Sequence, residues 1–100
     1  MTNYPVIVTH KARVDIQTTV RWYNAKQKGL GKRFYFFVKQ AISTLQSIPF
    51  FQIRYDEIRC LKIKRFPYLI HYLVDEEHVY ILAVISTHQD PEKHWIDLNA

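Results

Sequence analysis

At 100 residues the chain has the size of one domain, and a second independent core would have too little apolar surface to bury. A hydrophobic fraction of 48% with 15% aromatics excludes a disordered chain, and a single cysteine, Cys60, excludes an intrachain disulfide and suits a reducing cytoplasm. The net charge of +5 is unevenly spread: residues 1–54 hold nine basic residues and one acid, Asp15, whereas residues 66–100 hold one basic residue and six acids. Such a basic half attracts polyanions and acidic protein partners alike.

Tyr4 to Thr9 reads as a short strand, because Val6, Ile7 and Val8 are β-branched and Pro5 is tolerated near a strand start or edge. The same N-terminal stretch lacks the basic region and small-residue cleavage site of a signal peptide. From about His10 to Lys26 the period changes. Ala12, Ile16, Val20 and Tyr23 recur at helical spacing, with Arg13, Gln17, Arg21 and Asn24 facing elsewhere, so an amphipathic helix is expected. Both glycines, Gly29 and Gly31, follow it, where a helix stops and the chain turns back. A second stripe of Phe34, Phe37 or Val38, Ala41, Leu45 and Ile48 runs to Pro49, giving a two-helix antiparallel hairpin.

Beyond Pro49 the period becomes two. Ile58 to Lys64 is expected as a strand with Arg59, Leu61 and Ile63 on one side and Cys60, Lys62 and Lys64 on the other. Pro67 to Val74 is a second strand, Asp75-Glu76-Glu77 a turn, and Val79 to Ser86 a third strand apolar enough for a central position. The tail from Thr87 to Trp95 is polar, then aromatic, and residues 96–100 are candidates for fraying. The fold class is therefore α+β: a strand, a two-helix hairpin, then a three-stranded mostly antiparallel sheet, in one domain over residues 1–100. No apolar run approaches the roughly 20 residues that span a bilayer, so no membrane role is expected.

Several local strings occur in a specific order: Ala12-x-x-Asp15-Ile16, Trp22-Tyr23, Gly29-Leu30-Gly31-Lys32-Arg33-Phe34, Ile48-Pro49, Ile58-Arg59-Cys60-Leu61, Phe66-Pro67-Tyr68 with Tyr72 and Asp75, and Thr87-His88 before Pro91 and Trp95. Each is short, but their joint order resembles the RelE/ParE superfamily of toxins from bacterial type II toxin–antitoxin modules, particularly the plasmid-stabilisation group. The resemblance implies a growth-inhibiting cytoplasmic toxin without a cofactor, neutralised by a cognate antitoxin. One class of relatives cleaves mRNA on the ribosome, using a pair of strand lysines, arginines on the next strand and in the tail, and a terminal tyrosine.

Lys62-Ile63-Lys64 resembles that lysine pair, which on one sheet face could hold a scissile phosphate. The position resembling the strand arginine is Leu69, however, and Gln89 and Trp95 stand where the tail arginine and tyrosine would. Leucine cannot stabilise a developing anion, and an indole exchanges no useful proton near neutral pH. His88 and His94 could act as acid and base in an endoribonuclease alternative. The ParE type, which poisons DNA gyrase, needs a docking surface instead, and Arg59, Lys62, Lys64, Arg65 and Trp95 are the expected target-binding residues. A third possibility is a non-toxic family member acting as a binding module.

Structural roles compete with these. Lysines at 62 and 64 also protect a strand edge from pairing, and Arg59 could form an ion pair with Asp56, Glu57 or Asp75. Tyr68, Tyr72, Trp22 and Tyr23 read first as packing residues, and Cys60 as a space-filling thiol. The histidines at 10, 71, 78, 88 and 94 lack the short paired spacings of a zinc site, so no metal is expected.

Overall fold

The computed structural model describes residues 3–87. In chain order the elements are β1 (Val6–Val8), α1 (His10–Lys26), α2 (Leu30–Ser47), β2 (Ile53–Tyr55), β3 (Ile58–Lys62), β4 (Tyr68–Val74) and β5 (Val79–Ser86). The strands form one sheet in the order β1-β5-β4-β3-β2, antiparallel except for the β1–β5 pair. β5 is thus interior, as its apolar sequence requires, and the first strand joins the sheet beside the last.

The helical hairpin covers one face of this sheet. Ala12, Ile16, Phe34, Val38 and Leu45 of the helices meet Ile63, Ile70, Tyr72, Val79, Ile81 and Val84 in one buried cluster. Ile81 and Val84 have opposite parity, so a regular strand would send them to opposite faces. A bulge resolves this: Tyr72 pairs with Ile81 and His71 with Ala83, so Leu82 is the extra residue and the alternation resets.

Thr9 caps α1, its hydroxyl accepting from the Ala12 N–H at 3.3 Å while donating to the Ile81 carbonyl at 2.7 Å. Gly29 takes the left-handed conformation (φ 86°) that starts α2. Gly31 serves closeness instead: a Cβ there would collide with the Val20 carbonyl and come within 2.7 Å of Asn24 Cγ. Asn24 Oδ1 accepts from the Gly31 N–H at 2.9 Å, locking the two helices where they approach.

Two expectations change. The expected strand Ile58–Lys64 ends at Lys62, because Lys64 and Arg65 enter a turn in which Arg65 has φ 69°. A strand absent from the sequence reading, β2, pairs with β3 through a two-residue turn, Asp56-Glu57, with φ of 44° and 65°. The sheet consequently has five strands.

Candidate functional site

Register along β3 and β4 positions the basic residues. Arg59 pairs with Tyr72, Leu61 with Ile70 and Lys62 with Leu69. By alternation Arg59 shares the helix-covered face with Leu61, whereas Lys62 projects from the opposite face. Arg59 donates to the Phe51 carbonyl and lies 5.5 Å from the Phe50 ring, and no ion pair to Asp56, Glu57 or Asp75 forms. Asp75 instead accepts from the Glu77 and His78 N–H groups at 2.8 and 2.6 Å, which hold its carboxyl below the usual range.

Lys62 bends its ammonium back onto the β3–β4 connection, donating to the Ile63 and Phe66 carbonyls at 3.1 Å each. Lys64 is exposed in the turn, and the exposed Arg65 sets its guanidinium 5.9 Å from the centre of the Phe37 ring on α2. The four cations therefore divide: Arg59 at the β2–β3 edge, Lys62 tethered to the loop, Lys64 and Arg65 at its tip. Leu69, directly opposite Lys62, brings no charge. His88, Gln89, His94 and Trp95 lie outside the described residues.

Tyr72 is fully buried and donates to the Pro49 carbonyl at 2.7 Å, and burial pushes its phenol up to about 12. Tyr23, Phe34, Phe66 and Tyr68 pack as an aromatic cluster with centroid separations of 5.0 to 6.1 Å. Trp22 packs only in part: it meets Tyr23 edge to face at 5.0 Å but is 52% exposed, with Lys26 Nζ 5.0 Å from its ring.

The structure adds two features. On the sheet face away from the helices, the buried His71 places Nδ1 2.7 Å from the Tyr55 hydroxyl and 3.4 Å from Cys60 Sγ. Burial pushes the Cys60 thiol up despite the opposing influence of Arg54, which leaves little thiolate at neutral pH. No group of three or more His, Cys, Asp or Glu able to hold a metal occurs among the described residues.

The second is a groove of about 820 Å³ between the helices. Ile16, Val20, Val38 and Ile42 line it with apolar surface, and Arg13, Arg21 and Lys39 bring positive charge to it. Lys39 lies 4.9 Å from the Tyr35 ring, also in the lining. The signal for it in the sequence is the arginine spacing on α1, Arg13 and Arg21 flanking Gln17 at intervals of four. No helix among the described residues is long and apolar enough to cross a membrane.

Comparison with known proteins gives a consistent picture. The family model described as ParE toxin of type II toxin-antitoxin system, parDE, matches residues 6–91. A solved structure described as the chromosomal ParDE TA system from P. aeruginosa has the same fold, with TM-score 0.76 at 16% identity, covering 83% of this chain and 95% of that one. No curated protein matches the sequence.

Proposed function

This chain belongs to the ParE toxin family of type II toxin–antitoxin systems, and we propose that it inhibits growth in the cytoplasm by binding a macromolecular target such as DNA gyrase. A cognate antitoxin neutralises it. The observation that carries the docking reading is the pairing of Lys62 with Leu69. Phosphodiester cleavage needs cations converging on one developing anion, and the strand position where cleaving relatives supply arginine holds an uncharged side chain. Docking requires only an accessible cationic surface. Lys64 and Arg65 at the β3–β4 tip, with Lys62 behind them and Arg59 at the β2–β3 edge, are the residues assigned to it, together with Trp95.

The antitoxin is assigned to the interhelical groove. Its apolar floor and cationic surroundings suit an acidic amphipathic helix laid along the hairpin. Expression from a tight inducible promoter, with growth, the DNA damage response and mRNA cleavage followed together, tests both assignments. Growth arrest with DNA damage and intact mRNA is expected, relieved by the product of the neighbouring gene. Charge reversal by Arg21→Glu with Lys39→Glu should leave the arrest intact and prevent its relief. Cleavage of translated mRNA without DNA damage would replace gyrase with the ribosome as target, and rescue of the charge-reversed toxin would remove the antitoxin from the groove.

A further inference from the structure

The flank of α2 opposite the groove carries a second kind of surface. Phe36 is 53% exposed and takes no part in the buried cluster. It meets Phe37 edge to face, with centroids 5.2 Å apart. Arg33 precedes these phenylalanines by three and four residues, which places it on the same stripe of the helix. The β3–β4 turn lies beside them, with the Arg65 guanidinium over Phe37 and exposed Lys64 next in sequence.

Arg65 occupies the left-handed region at φ 69°, where glycine and asparagine are the residues that fit without cost. The turn that holds Arg65 in this conformation also sets its guanidinium over the Phe37 ring. No acidic residue occurs from position 16 to 55, nor from 58 to 74, so neither α2 nor the β3–β4 segment carries a carboxylate of its own.

We propose that Arg33, Phe36, Phe37, Lys64 and Arg65 form a contact surface for single-stranded nucleic acid, which binds without being cut. The cations meet the phosphates, and exposed Phe36, beside the Arg65–Phe37 stack, supplies an aromatic face for a base. Shape selects this ligand over an acidic helical peptide. A docking helix needs an apolar groove for its buried stripe, and the groove lies on the other flank of α2, lined by Tyr35, Val38, Lys39 and Ile42. A strand of bases needs only ring faces and spaced charges. The surface shares Lys64 and Arg65 with the docking site proposed above, yet the inference holds whichever target the toxin inhibits, because it is read in nucleic-acid binding and not in growth.

The test is fluorescence anisotropy of a labelled 12-nucleotide single strand, DNA and RNA in turn, titrated with the full chain at several salt concentrations. Binding that weakens steadily with salt is expected, with a shallower salt dependence for Arg65→Gly and for Arg33→Ala. Phe36→Ala should weaken binding about fivefold or more, the usual consequence of losing one base stack, and Phe36→Trp should restore it. Arg13→Ala with Lys39→Ala, in the groove, should change it less than twofold. Far-ultraviolet circular dichroism identifies any variant that fails to fold, and Arg65→Gly suits its own backbone geometry. No binding at low salt would overturn the proposal. So would equally tight binding of polyglutamate that is insensitive to Phe36→Ala, which would make the surface a protein contact.

Discussion

Asp15 gives the sharpest test of how the fold is held. It sits one turn beyond the start of α1, and its carboxylate accepts the Val84 N–H at 2.9 Å from the part of β5 that β1 no longer accompanies. Lys11 reaches both carboxylate oxygens at 2.7 Å. The ion pair is the weaker contact, because Lys11 is 38% exposed, and such i,i+4 pairs contribute about 0.5 kcal/mol or less. The backbone contact weighs more. Asp15→Ala strands a donor in the interior of the sheet edge, which costs about 1–3 kcal/mol.

Asp15→Ala should therefore cost about 2 kcal/mol in urea unfolding and lower the melting temperature of a domain this size by roughly 8–16 °C. Asp15→Asn keeps an acceptor and should cost less than half as much, and Lys11→Met about 0.5 kcal/mol or less. Circular dichroism at increasing urea, run on the single variants and the Lys11–Asp15 double variant, measures all three. Equal costs for Lys11→Met and Asp15→Ala would refute the reasoning, since the ion pair would then carry the whole effect. So would an Asn variant as weak as the Ala one.

Tyr72 should give the protein an alkaline limit. Burial raises its phenol from the ordinary value of 10.0 to about 12. That contribution is present in full below the unfolded value and is lost as pH rises through the folded one, so stability should fall between pH 10 and 12. Tyr72→Phe should flatten that decline while costing about 1–2 kcal/mol at neutral pH, read by urea titration at each pH, because the Pro49 carbonyl loses its donor. Gly31→Ala should destabilise by about 2–3 kcal/mol through its clash with Val20 and Asn24, against about 1 kcal/mol for Gly29→Ala, whose Cβ would meet nothing within 4 Å. Lys62→Ala should cost about 1 kcal/mol by releasing the Ile63 and Phe66 carbonyls, while Lys64→Ala should leave the unfolding midpoint unchanged.

The helices and the last strand were legible because their signals are long. The span His10–Lys26 and the span Val79–Ser86 appear in the structure with the limits that hydrophobic periodicity assigns them. β2 was not legible. It has three residues, and its turn reaches positive φ with Asp56 and Glu57 where Asn-Gly would have announced a hairpin. Lys62 and Lys64 were legible as a pair in sequence, but alternation holds only while the strand lasts, and it ends between them. The partners of Arg59 were hidden for another reason. They are a backbone carbonyl and an aromatic ring, at Phe51 and Phe50, and neither carries a charge that a sequence search would match to arginine.

These tethers bear on what the cations do. Arg59, Lys62 and Arg65 each have an internal partner, and a side chain already restrained loses less rotamer freedom when a partner arrives. A docking surface gains from that restraint. Phosphodiester cleavage asks for something different, several cations aimed at one point, and the lysine pair it would use parts where the strand ends, Lys62 tied to the loop carbonyls and Lys64 exposed in the turn. Lys62 could still turn outward, but doing so would free two loop carbonyls, and its cross-strand neighbour Leu69 would offer a phosphate nothing. The division of the cations thus favours a toxin that holds its target over one that cuts it, and it predicts that charge removal at Lys64 and Arg65 weakens binding gradually where removal of a catalytic group would abolish activity at a stroke.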